Sequence, residues 1–272
     1  MMAFKSPDAY FQFARKVKST NRHIRDADDL KFLATLLAQA RRDEREATIR
    51  KGTILWRAQL GSGWEPIWDG KKYSDDFTEG PFPKERMKPL RDRAREGRAN
   101  PQGIPYLYLS TRKETALSEV RPWHRSLISI AQFKTVRDLT IVDFSSDERP
   151  HRLSTFGLPR KEWNKAVWYE IDQAFRKPVT LEGDIPSEYA PTQVIAEFFK
   201  ANGFDGIAYQ SAFQDASGKG HNIALFDLDV ANLINCGLEE AKKITFEFEQ
   251  AANPYFISLK KKRPKRSRRS SN

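Results

Sequence analysis

Five polar residues that could bind an anion or carry out chemistry lie at the borders of short apolar segments. They comprise two arginines, a tyrosine, a glutamate and a serine: Arg57, Arg98, Tyr108, Glu119 and Ser211. Guanidinium groups bind phosphates through paired hydrogen bonds, and a carboxylate can stabilise a positive charge or transfer a proton. Each residue taken alone also has an ordinary interpretation: a salt bridge, a surface charge, core packing, a solvated helix glutamate and a turn residue. The sequence around the five residues therefore decides whether they form a site.

Other common sites are absent from the sequence. The run Gly61-Ser62-Gly63 lacks the third glycine of a dinucleotide-binding loop, because Pro66 stands in that place. The single cysteine, Cys236, excludes an internal disulfide and a cysteine-built metal site. The four histidines are far apart and lack the spacing of metal ligands: His23, His124, His151 and His221. We therefore expect no metal ion and no resident cofactor.

The elements that must position the five residues follow from periodicity and from turn residues. Predicted strands cover 53–57, 104–110, 127–133, 139–144, 204–209, 222–226 and the alternating stretch 244–249. Predicted helices cover 29–50, 111–120, 163–175 and 191–202. The first has Asp28 or Asp26 as its cap, with Leu30, Leu33, Leu37 and Ala40 on one face; Thr111 and Glu114 give the second a capping box. Residues 61–96, rich in glycine, proline and charge, are predicted to form a long surface excursion. Strands and helices alternate without a regular βαβ order, which favours an α+β fold.

Two blocks of the sequence resemble the RES domain, a family named for an arginine, a glutamate and a serine. The first block runs from Gly97 through a Pro-x-Leu-Tyr-Leu-Ser strand to Glu119. The second contains Thr192–Glu197, Gly203–Ile207, Tyr209 and Ser211, and then Gly220 and Asn222 before Ala224-Leu225-Phe226. Together with Arg57, the resemblance spans about residues 53–226, and the charged stretch between Arg57 and Arg98 departs from it.

The resemblance implies a fold, a substrate and a role for each residue. RES proteins are similar to ADP-ribosyltransferases, with a split β-sheet around an NAD cleft and flanking helices. They attack NAD as a substrate. The catalytic set would be Arg57, Glu119 and Ser211, with Arg98 and Tyr108 binding the substrate. Glu119 would stabilise the cationic ribose, both arginines would hold the pyrophosphate, Tyr108 would position a ring and Ser211 would donate a hydrogen bond.

Several functions remain open at this level. The first is cleavage of the nicotinamide–ribose bond with water or phosphate as the acceptor, by a toxin that an antitoxin with a helix-turn-helix region neutralises. Transfer of ADP-ribose to a macromolecule is the enzymatic alternative. In another class, the chain would bind nucleic acid through its basic end. The expected organisation is an N-terminal helical extension over 1–50, a RES domain over 51–259 and a disordered basic tail over 260–272.

The charge of the chain is concentrated in that tail. The net charge is +11, and residues 260–272 contain eight Lys or Arg and no acid, so the other residues carry only +3. The tail is expected to contact nucleic acid weakly or to have no partner at all. No stretch has the apolar length of a membrane span, and the N-terminus lacks the apolar core of a secretory signal. We expect a cytoplasmic protein.

Overall fold

The computed structural model describes residues 3–43, 45–68, 70–91, 93–145, 157–177, 186–213, 220–245 and 248. Within these ranges the helices are α1 (Ala9–Ser19), α2 (Ala27–Arg42), α3 (Lys84–Met87), α4 (Lys113–Glu119), α5 (Trp163–Arg176) and α6 (Ala190–Ala201). The strands are β1 (Glu46–Ile49), β2 (Ile54–Leu60), β3 (Gly63–Trp68), β4 (Tyr73–Gly80), β5 (Leu107–Ser110), β6 (Leu127–Thr135), β7 (Leu139–Asp143), β8 (Gly206–Gln210), β9 (His221–Leu225) and β10 (Ala231–Glu240).

Eight strands form one mixed sheet in the order β1-β7-β8-β9-β5-β2-β6-β10. Among these neighbours β7 and β8 run parallel, and the other pairs are antiparallel. Strands β2 and β5 are joined only at Trp56 and Ser110, whereas β2 pairs with β6 over seven residues. The sheet is therefore nearly split between β2 and β5. The predicted α+β fold with a split sheet is confirmed.

The two faces of the sheet carry separate apolar cores. Successive residues of β8 show the alternation, because Ile207 and Tyr209 face one core and Ala208 faces the other. The first core lies under α1, α2, α5 and α6 and is rich in aromatic rings. The second is closed by residues around α3 and by the segment before β10, which contribute Phe82, Met87, Leu228 and Val230. The helices α1, α2, α5 and α6 thus cover one face of the sheet.

The N-terminal region differs from the predicted helix over 29–50. Helix α2 ends at Arg42, and Glu46–Ile49 is a strand that pairs with β7 at the edge of the sheet. Asp26 is the cap, since its side chain accepts from the backbone N–H of Asp29. Leu30 is 53% exposed, while Leu36, outside the predicted apolar face, is fully buried. The charged residues before β1 favoured a continued helix in the sequence, whereas pairing with β7 stabilises the strand in the structure.

The segment 61–96 is also more ordered than predicted. Strands β3 and β4 form a separate antiparallel hairpin, and α3 follows it. Pro66 and several charges hide the alternation of this hairpin in the sequence. Helix α4 lacks the predicted capping box, because the hydroxyl of Thr111 accepts from the backbone N–H of His221 instead. A contact between distant segments replaced the local one.

The last strand of the sheet was predicted too far along the chain. Strand β10 covers Ala231–Glu240 and pairs with β6 along its whole length, with a bulge between Leu233 and Asn235. Ile244 and Thr245 belong to no regular element, and Phe248 is 90% exposed. The remainder of the predicted strand and the basic tail 260–272 lie outside the described residues. The domain boundaries at 50/51 and 259/260 remain predictions.

Candidate active site

A cavity of about 310 Å³ opens where β2 and β5 separate. Its walls come from β2, β5, the turn before β5, helix α4 and the end of β8. Four of the five predicted residues line it: Arg57, Arg98, Tyr108 and Glu119. Ser211 joins them through a hydrogen bond to Glu119. The fold therefore brings together residues that are up to 154 positions apart in the sequence.

Glu119 is the last residue of α4, and two side chains from the far half of the chain hold its carboxylate. Oε1 accepts from the hydroxyl of Ser211 at 2.6 Å and from the amide Nδ2 of Asn222 at 2.5 Å. Asn222 is fixed in turn, because its Oδ1 accepts from the hydroxyl of Ser110 at 2.8 Å. These bonds leave Oε2 directed towards Arg98, with 3.7 Å between Oε2 and Nη1. Neutral donors thus orient the carboxylate, and its second oxygen forms an ion pair with Arg98 at the cavity.

Arg98 is largely buried beside Glu119. Burial lowers the pKa of its guanidinium, but Tyr209 and Glu119 more than offset this, so the net shift of the pKa is upward. Burial also raises the pKa of the Tyr209 phenol to about 12, although Arg98 acts against the shift. Arg98 therefore stays cationic and Tyr209 stays neutral over the physiological pH range.

The turn that presents Arg98 is held from both sides. The amide Nε2 of Gln193 in α6 donates to the carbonyl oxygens of Gly97 (3.0 Å) and Asn100 (3.1 Å). The amide Nδ2 of Asn100 lies within 3.1 Å of the carbonyl oxygens of Arg95, Pro101 and Ile104. Two neutral amides therefore fix the backbone on either side of the guanidinium, so a ligand meets a preorganised cation.

Arg57 forms the wall of the cavity on the side of β2. Its Nη1 donates to the carbonyl oxygen of Tyr108 at 3.0 Å and bridges the split in the sheet. Its Nε is buried and has no hydrogen-bond partner among the described residues. Burial lowers the pKa of Arg57 to about 10, so it remains charged at neutral pH. A buried guanidinium without a carboxylate partner in these residues favours an anionic ligand over the salt-bridge interpretation.

The hydroxyl of Tyr108 points into the turn. It donates to Oδ1 of Asn100 at 2.7 Å and accepts from the backbone N–H of Ala99 at 2.9 Å. Burial raises the pKa of this phenol, so it stays protonated. A Cβ added at Gly97 would lie 2.6 Å from the same hydroxyl, so the glycine permits this close approach. The ring is then the part of Tyr108 that lines the cavity.

Two residues of the site are missing from the predicted set. Asn222 holds Glu119, and Tyr209 lies against Arg98. Both stand in the second block that resembles the family, and that membership was the available signal. No cluster of histidine, cysteine or acidic side chains suited to a metal occurs in the described part of the chain. The roles given to the five residues remain predictions.

The family model of the RES domain matches residues 55–240, about two thirds of the chain. The chain belongs to the RES-domain family. No significant match is found among curated proteins. The structure is similar to a chain of the M. tuberculosis MbcT–MbcA toxin–antitoxin complex, with 12% identity, a TM-score of 0.34, and coverage of 72% of this chain and 89% of that chain. None of the helices in the described residues is long and apolar enough to cross a membrane.

Proposed function

We propose that this RES-domain protein consumes NAD by cleaving the bond between nicotinamide and ribose. One observation carries the proposal: the carboxylate of Glu119 lines the cavity, Ser211 and Asn222 fix one of its oxygens, and the other oxygen faces Arg98. Departure of nicotinamide leaves an oxocarbenium-like ribose cation, which a fixed carboxylate can stabilise. Membership of the family supports NAD as the substrate.

The cations of the site suit the other end of such a substrate. NAD carries two phosphates, and Arg57 and Arg98 are two largely buried arginines that both line the cavity. Arg57 has no carboxylate partner among the described residues, whereas Arg98 forms an ion pair with Glu119 at 3.7 Å, so the substrate phosphates would share Arg98 with this carboxylate. In this proposal Ser211 orients Glu119, and the acceptor of the ADP-ribosyl group is water or phosphate.

The test is incubation of the purified full chain with NAD, with and without phosphate, followed by mass analysis of the products. Free nicotinamide with ADP-ribose indicates hydrolysis, and a phosphorylated ADP-ribose indicates phosphorolysis. Glu119→Gln keeps the shape of the side chain and should slow cleavage by ~10²–10⁴-fold. Glu114→Gln, on the exposed first turn of the same helix, is the matched control and should act like the parent.

Two results would contradict the proposal. Intact NAD after prolonged incubation would exclude NAD consumption under the tested conditions, and equal rates for Glu119→Gln and the parent would exclude this carboxylate as the catalytic group. Transfer of ADP-ribose to an added protein or nucleic acid, with no free product, would favour the macromolecular alternative.

We also propose that the protein acts as the toxin of a toxin–antitoxin pair in the cytoplasm. The support is membership of the RES family. Expression of the parent should deplete cellular NAD and arrest growth, while Glu119→Gln should do neither. Co-expression of a cognate helix-turn-helix antitoxin should restore growth. Unchanged NAD levels in arrested cells would separate toxicity from the proposed chemistry.

A further inference from the structure

The hairpin of β3 and β4 presents an exposed aromatic surface, and none of its residues lines the cavity of the active site. Directly opposed residues of the two strands share a face, as Trp64 does with Glu79, Pro66 with Phe77, and Trp68 with Tyr73. The rings of Trp68 and Tyr73 are 4.9 Å apart. The four aromatic residues are 55–74% exposed: Trp64, Trp68, Tyr73 and Phe77. We call this surface the aromatic face.

The aromatic face is acidic as well as apolar. Asp75 and Glu79 alternate with Phe77 on β4 and therefore lie on the same face, and both are exposed. Neither strand contains a lysine or arginine; the turn between them adds Lys71 and Lys72, so the sequence over 63–80 has five acidic and two basic residues. A purely apolar partner would take these carboxylates out of water, which is costly. Lysine and arginine side chains would satisfy both features, since they stack on aromatic rings and pair with carboxylates.

The chain itself contains a segment of this chemistry. Residues 260–269 include eight Lys or Arg and no acid. Strand β10 delivers the chain to the side of the hairpin: Ala241 hydrogen-bonds Ser126, and Ile128 lies between Glu239 of β10 and Leu60 of β2. Leu60 is followed by Gly61, two residues before β3, so β10 passes about 10 Å from the base of the hairpin.

The connecting length permits contact within one molecule. Fifteen residues run from Phe246 to Lys260, and an extended chain of that length spans up to about 50 Å. Strand β4, with eight residues, is about 27 Å long. The basic segment can therefore reach any point of the aromatic face without leaving its own chain.

We propose that the aromatic face of the hairpin binds the basic segment 260–269 of the same chain. Docking places cationic groups over the four rings and beside Asp75 and Glu79. It also relieves the mutual repulsion of the eight basic side chains. This contact does not involve residues of the proposed NAD site, so it stands whether or not the chain consumes NAD.

The experiment measures tryptic cleavage within 260–269 in the full chain by intact-protein mass spectrometry. Cleavage follows the undocked population, so a segment docked ~90% of the time should be cut about 10-fold more slowly than a free one. The double variant Trp64→Ser/Phe77→Ser should therefore be cut about 10-fold faster than the parent. Trp123→Ser, which removes another exposed tryptophan, is the control and should match the parent.

A second variant distinguishes loss of docking from misfolding of the hairpin. Asp75→Asn/Glu79→Gln removes charge with little change in shape, and should also accelerate cleavage while circular dichroism stays unchanged. Equal rates for the parent and both hairpin variants would overturn the proposal. A parent rate that rises on roughly a hundred-fold dilution would overturn it as well, because docking within one chain is independent of concentration.

Discussion

At the scale of single residues, the site depends on how neutral groups orient charged ones. Ser211 and Asn222 aim the carboxylate of Glu119, and Gln193 holds the turn of Arg98. None of these orienting contacts is an ion pair, and the two charged groups that they orient, Glu119 and Arg98, face each other at 3.7 Å. Replacing a charged side chain of the site by one with the same charge but a different shape should therefore impair function.

Replacement of either arginine by lysine tests this directly. Arg98→Lys and Arg57→Lys keep the charge but lose the planar pair of donors, so each should reduce NAD turnover or apparent affinity by at least ~10-fold. Steady-state kinetics with NAD is the measurement. Arg95→Lys, an exposed arginine in the same segment, is the control and should change neither parameter. Unchanged kinetics in both site variants would restore the interpretation of Arg57 and Arg98 as structural cations.

At the scale of elements, the turn before β5 and the helix α4 are positioned by tight contacts with distant segments. Asn100 is 2% exposed and connects the turn to Tyr108. Gly220, just before β9, packs closely against α4, because a Cβ at this position would lie 1.8 Å from Oγ1 of Thr115. These two contacts fix the guanidinium of Arg98 and the carboxylate of Glu119 relative to the sheet.

Asn100→Asp should loosen the turn. The change replaces an amide donor by a carboxylate oxygen facing the carbonyl oxygens of Arg95, Pro101 and Ile104. Losing these bonds in a buried place should cost at least ~2 kcal/mol of unfolding free energy. Urea unfolding gives the value, and the exposed Asn235→Asp serves as the control. If Asn100→Asp lowered the free energy of unfolding no more than Asn235→Asp does, water would have replaced the hydrogen bonds of the Asn100 amide.

Gly220→Ala should displace α4. Overpacking against Thr115 is expected to cost ~1–3 kcal/mol of stability and, because α4 carries Glu119, to slow NAD cleavage. Gly237→Ala, where the nearest atom to the new Cβ is 3.7 Å away, should be nearly neutral. Stability from urea unfolding and turnover of NAD check both parts. A fully stable and active Gly220→Ala would show that the close contact between position 220 and Thr115 relaxes at little cost.

At the scale of the whole molecule, the N-terminal region shares its core with the rest of the chain. Phe13 of α1 and Leu36 of α2 belong to the same buried cluster as Trp168 of α5 and Phe199 of α6. Strand β1 extends the sheet beside β7. Residues before the family match at 55–240 are thus part of the structure that supports the site.

Leu36→Ala measures that contribution. The side chain is fully buried, so its truncation should lower the free energy of unfolding by ~2–5 kcal/mol. Leu30→Ala, at a position 53% exposed on the same helix, should stay within about 0.5 kcal/mol of the parent. Denaturant unfolding of both variants is the measurement. A neutral Leu36→Ala would mean that the N-terminal helices contribute little to the common core.

The sequence alone determined the α+β class, the helices near 163–175 and 191–202, and the family. Local periodicity and two blocks of specific residues carry that information, and both can be recognised in the sequence without the structure. The helix predicted over 29–50 was wrong at its end, because Glu46–Ile49 is a strand only by virtue of its pairing with β7. Likewise Thr111 contacts His221 in preference to its own helix.

Only the tertiary structure decided how the site is assembled. The sequence could name Glu119 and Ser211, but their 2.6 Å contact joins residues 92 positions apart through the ordering of β5, β9 and β8 in one sheet. It could not show that Asn222 holds the same oxygen, or that the sheet opens between β2 and β5 to form the cavity. Strand order and burial are long-range properties, since they depend on which segments pair across the whole chain.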